Sequence, residues 1–127
     1  MLARFLLAIS AVVLAVAGVA YLAVPGLALE IVDIEATPDS EFLLRTEGVA
    51  LLFGATIVWA IRGGDVRVQR IGLLALAGYF VFSSLVDLAA FAQGIVGPAS
   101  IPSAAIRIAA GAIYLVIVWN TSRELGT

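Results

Sequence analysis

Residues 5–24 read FLLAISAVVLAVAGVAYLAV, twenty consecutive residues without a charge. At 1.5 Å rise per residue, such a helix crosses a hydrocarbon core of roughly 30 Å. A cleaved signal peptide would also place a base before an apolar run, here Arg4, and small residues such as Gly18-Val19-Ala20 at a cleavage site. The run is longer than the usual apolar region of such a peptide, so it is read as a permanent first span.

Outward from this stretch the pattern repeats. Pro25-Gly26 ends the first span, and the segment up to Glu41 carries five acids and no base. Within it Leu27–Ile34 mixes apolar and acidic residues, as a short helix lying in the interface would. Thr37-Pro38-Asp39 has the form of a helix start, with Thr as N-cap, Pro at the first helical position and an acid in the first turn. The second span runs from Pro38 to Ile61 and stops at Arg62-Gly63-Gly64, where paired glycines permit a left-handed closure. Asp65 is the N-cap of the third span, 66–92, and the short connection predicts that the second and third spans are antiparallel neighbours. After a break at Gln93–Pro98, a fourth span covers 102–120, followed by a polar tail.

The composition agrees. Of 127 residues, 63% are hydrophobic, against roughly 45–50% in ordinary soluble domains, and the mean hydropathy is +1.15. A domain this small cannot hide so much apolar surface from water. The expected fold is all-α, one membrane domain over 1–127 forming a four-transmembrane-helix bundle, as in a multi-pass protein of a prokaryotic plasma membrane. Positive residues are retained in the cytoplasm. Arg4, Arg62, Arg67, Arg70 and Arg123 fall on one side and the five acids on the other, which predicts N-in, C-in topology.

There is no Cys and no His, so thiol redox chemistry and the usual zinc, Fe–S and haem ligands are missing. No cofactor, metal site or catalytic residue is expected, and enzymatic activity is the least expected class. A net charge of −2 gives no reason to invoke nucleic acid.

Small residues at helical spacing mark expected helix–helix seams: Ala11, Ala15 and Gly18 in the first span, Gly48 and Ala55 in the second, Gly78 in the third, Ala110 and Gly111 in the fourth. Four ionisable residues lie inside the spans, Arg45, Glu47, Asp87 and Arg107, each within roughly 5–8 Å of the outer edge. At one depth, two of each sign, they are expected to neutralise one another. Asp87 cannot snorkel far, so it is expected to pair with Arg107 or Arg45, whereas Arg45 and Glu47 point to different faces. The face of Asp87 continues through Ser83 or Ser84 to Phe80, and that of Arg107 through Ala110 and Gly111 to Tyr114. Together they outline an outward-opening cavity with charge above and rings below. Its alternatives are a ligand or ion site and a salt-bridge clasp that sets helix register, of which the clasp is preferred.

At Glu41-Phe42-Leu43-Leu44-Arg45-Thr46-Glu47-Gly48, with Pro25-Gly26 and Asp87, the chain resembles the DoxX-like group of small four-helix membrane proteins. Some members of that group look like subunits of quinone-linked oxidoreductases, so the resemblance implies at most an accessory subunit near a quinone pool. The expected role is a non-catalytic accessory or scaffold subunit of a membrane assembly, or a homo-oligomer. The alternative is a binder or transporter of a small amphiphile, a lipid or quinone-like molecule, or an ion. The expected partners are the lipid bilayer and other membrane subunits or further copies of the chain.

Overall fold

The computed structural model describes residues 1–124, with side chains described to Thr121. Arg123 of the expected positive set and the end of the tail lie outside the described side chains. The elements are α1 (Leu2–Ala23), α2 (Pro25–Ile31), α3 (Pro38–Ile61), α4 (Val66–Ala92) and α5 (Ser100–Glu124). All but α2 are long and apolar enough to cross a membrane, and they are the spans of a small integral membrane protein.

Local chemistry sets the boundaries. Val24 has φ −136° and ψ 56°, outside the helical region that a following proline disfavours. Pro25 then opens α2 at once, so the short helix begins two residues before the expected Leu27 and ends three before Ile34. Thr37 caps α3: its Oγ1 accepts from the Ser40 amide at 3.2 Å, and the Ser40 Oγ accepts from the Thr37 amide at 2.8 Å. The Asp65 carboxylate accepts from the Val68 amide at 2.9 Å to start α4. At the end of α3, the Arg62 carbonyl accepts from Arg4 Nε and Gln69 Nε2, both at 3.1 Å. Carbonyls that a helix terminus leaves unpaired are thereby satisfied. The fourth span is longer than expected at both ends, starting at Ser100 and continuing through Glu124.

The spans pack as two antiparallel pairs, α1 with α3 and α4 with α5, which meet along α1 and α4. This corrects the expectation that a tight connection makes α3 and α4 close neighbours; they make few contacts. The reason is where backbones can approach. A Cβ on Gly18 would fall 2.8 Å from the Gly48 carbonyl oxygen, and one on Gly48 would fall 2.9 Å from the Gly18 carbonyl oxygen. Without a hydrophobic drive between helices in lipid, such contact decides which helices associate. On the other pair, a Cβ on Gly111 would meet the Ala77 carbonyl oxygen at 3.2 Å and Val81 Cγ2 at 3.0 Å. Gly78, expected at a seam, faces open space with nothing within 4 Å of its Cβ position. Gly72 takes that role on α4, packed against Leu7 and Ile61.

The two pairs share a core that includes Leu7, Leu14, Leu73, Leu76 and Phe80. Within it the hydroxyls of Ser10 and Tyr114 are hydrogen-bonded at 2.6 Å, joining α1 to α5. At the end of the bundle bearing α2, the Gly97 amide donates to the Val32 carbonyl at 2.9 Å and ties α2 to the α4–α5 connection.

Candidate functional site

The α4–α5 seam holds an ion pair in the half of the bundle that bears α2. Arg107 Nη2 is paired with Asp87 Oδ2, its Nη1 donates to Ser83 Oγ at 3.1 Å, and its Nε donates to the Ser103 carbonyl at 3.4 Å. Every nitrogen of the guanidinium is therefore engaged, and the carboxylate is held across the helix interface. Ser84 plays no part in this, since its buried hydroxyl donates to the Phe80 carbonyl of its own helix at 2.7 Å.

Below the pair, Phe80 and Tyr114 are both buried with ring centroids 5.8 Å apart. The cavity expected between these two faces is thus filled by the rings themselves. Gly111 lets α5 approach the α4 backbone beside them, where a Cβ would meet the Ala77 carbonyl oxygen at 3.2 Å. This arrangement is a clasp: an ion pair in register with an aromatic contact and a backbone approach.

The expected charge quartet does not assemble. Arg45 contacts Glu41 one turn earlier on α3 at 3.5 Å, with more than half of its side chain exposed. The i, i+4 spacing makes this local partner available without any tertiary contact. Glu47 is exposed and makes no ion pair or side-chain hydrogen bond among the described residues. Two tyrosines that the sequence reading passed over, Tyr21 and Tyr79, both lie within electrostatic reach of Glu47, Asp87 and Arg107.

Glu47 belongs instead to a groove. Because α3 pairs with α1 and α4 pairs with α5, α3 and α4 leave between them a side-opening recess of about 410 Å³. One wall is α3, through Glu47, Ala50, Gly54 and Ile57; the other is α4, through Ala75 and Tyr79; Leu14 of α1 forms the floor. Along α3 the lining extends from Glu47 to Ile61, about 21 Å at the helical rise. Gly54 widens it, with nothing within 4 Å of its Cβ position. The volume is within the roughly 300–1,000 Å³ of small-molecule sites. The lining is apolar except for the Glu47 carboxylate and the Tyr79 hydroxyl. Of the groove's residues only Glu47 was singled out from sequence. The spacing Glu47, Ala50, Gly54, Ile57 at i, i+3, i+7, i+10 is the signal that groups them on one helix face.

A further recess of about 600 Å³ lies at the opposite end, beside Met1, Arg4, Asp65 and Gln69. Its polar side chains are committed to helix caps, so it presents little free chemistry. No family model, curated protein or solved structure matches the chain.

Proposed function

We propose that this small multi-pass membrane protein binds one single-tailed amphiphile, taken laterally from the bilayer into the α3–α4 groove. The observation that carries this reading is the groove: apolar over about four turns of α3, open on the side of the bundle, and polar only through Glu47 and Tyr79. A hydrocarbon tail lies along Ala50, Gly54 and Ile57, and the head rests beside Glu47. The arginines Arg4, Arg62, Arg67 and Arg70 support an N-in orientation, which puts the Glu47 end of the groove in the outer half of the membrane. A DoxX-like relationship would add quinone-like molecules, themselves single-tailed amphiphiles, to the occupants worth trying.

Gly54→Leu tests the reading, because the new side chain enters the groove without meeting any existing atom within 4 Å of its Cβ. Native mass spectrometry of the protein purified in gentle detergent should show one retained amphiphile on the unaltered chain and none on Gly54→Leu, with the melting temperature maintained. Equal retention by both proteins would rule the groove out.

A second reading is a non-catalytic accessory or scaffold subunit of a membrane assembly or homo-oligomer. It is favoured by the Glu41–Arg45 pair, a charged patch on the flank of α3 away from the groove that a neighbouring subunit would cover. A monodisperse monomer without a partner in the same purification counts against it.

A further inference from the structure

Resting on that groove reading, we infer that the groove selects a cationic amphiphile, an ammonium or guanidinium on a single hydrocarbon chain, and that Glu47 is the group that holds the cation.

The bases nearest Glu47 in sequence and depth already have acidic partners. Arg107 is, with Arg45, one of two described bases in the outer half of the spans, and all its nitrogens are occupied by Asp87, Ser83 and Ser103. Arg45 lies about 160° away from Glu47 around α3, two residues at roughly 100° each, and is turned to Glu41. The remaining described arginines sit at the far end of α3 or beyond it. Nothing among the described residues neutralises Glu47, although it lies inside the α3 span, roughly 5–8 Å from the outer edge of the apolar layer. An ionised carboxylate at that depth is costly without a counter-charge. The counter-charge therefore comes from outside the chain, and the groove that starts at Glu47 is the route by which it arrives.

The surroundings agree with a cation. Tyr79 lines the groove together with Glu47. Aromatic rings combined with a carboxylate are a recurrent chemistry for recognising ammonium groups. An anionic head would meet an uncompensated negative charge, and a neutral head would leave it uncompensated. The geometry sets the tail as well, since the apolar lining runs from Glu47 toward Ile61, so a single chain fits along α3 with its head at one end.

The test uses the full chain in nanodiscs of zwitterionic lipid, with empty nanodiscs as background, and three probes sharing one tail: hexadecyltrimethylammonium, hexadecyl sulfate and hexadecyl maltoside. The unaltered protein should bind the ammonium probe at least about tenfold more tightly than the maltoside, and the sulfate most weakly. Glu47→Gln should lose that preference while keeping its affinity for the maltoside, and Glu47→Asp should keep most of the preference. Equal affinity for ammonium and maltoside on the unaltered protein overturns the cation inference, as does a preference that survives Glu47→Gln. In either case loss of maltoside binding in Gly54→Leu leaves the groove reading standing. If no probe binds the unaltered protein, or Gly54→Leu binds all three as well as it does, the groove reading itself falls. Melting curves without probe establish that each variant is folded. Should Glu47→Gln not fold, the probe ranking on the unaltered protein still decides.

Discussion

Gly18 and Gly48 occupy reciprocal positions, each placed so that a Cβ on it would press on the other's carbonyl oxygen, at 2.8 and 2.9 Å. Real Cβ atoms essentially never come so close to a neighbour, and here the neighbour is backbone, which cannot rotate away. The α1–α3 pair exists because both positions lack a side chain.

Gly18→Ala and Gly48→Ala should each therefore destabilise the protein by about 1–3 kcal/mol, the usual cost of overpacking. Gly78→Ala is the matched control: it adds the same methyl to a helix interior facing open space. It should be neutral or stabilising by up to about 1 kcal/mol through helix propensity. Thermal unfolding of the three variants in one detergent checks the contrast, and equal losses at all three positions would contradict it.

The Asp87–Arg107 clasp predicts non-additivity. Removing one partner of a fully buried pair costs about 3–5 kcal/mol. These side chains remain 25% (Arg107) and 36% (Asp87) exposed, so Asp87→Asn or Arg107→Gln should cost less, about 1–3 kcal/mol after screening by the surroundings. The double variant should recover part of that loss, with a coupling energy of about 0.5–3 kcal/mol. Strictly additive losses in thermal unfolding would remove the pairing from the account of stability. Ser83→Ala, which deletes one hydrogen bond to the same guanidinium, should have a smaller effect.

Tyr114→Phe should leave the Ser10 hydroxyl without its partner in a site where Ser10 is only 2% exposed. Inter-helical hydrogen bonds in membranes average about 0.6 kcal/mol and reach about 1.7. The loss is expected toward the upper value, because the hydroxyl is buried. Combining the change with Ser10→Ala should restore most of it. Unfolding of the two single variants and the double variant decides, and a double variant as unstable as the sum of the singles would be the contrary result.

Orientation is accessible to labelling because the chain contains no cysteine. With the N-in topology proposed above, Glu35→Cys, exposed between α2 and α3, should react with a membrane-impermeant maleimide on intact cells. Arg67→Cys, exposed at the start of α4, should react only after permeabilisation. The reversed pattern would invert the topology and turn the Glu47 end of the groove inward.

Span number, the starts of α3 and α4 and one contact were legible in the residues themselves. A helix in lipid satisfies its own backbone, so hydropathy along the chain suffices to locate it. Thr37 and Asp65 accept from amides three residues away, and Pro38 presets φ at the first helical position, so α3 and α4 start where the sequence places them. The Asp87–Arg107 pair was also readable, because two costly groups at one depth on consecutive helices have few other partners. Which helices pair was not readable. That depends on the rotation of each helix and on a handful of close approaches, and Gly18 with Gly48 outweighed the short connection between α3 and α4. The fate of the remaining charges followed from it: Arg45 settled on Glu41 within its own helix, and Glu47 was left alone on the wall of a groove. A groove is the space that two helices fail to fill, and only the three-dimensional arrangement of both determines it.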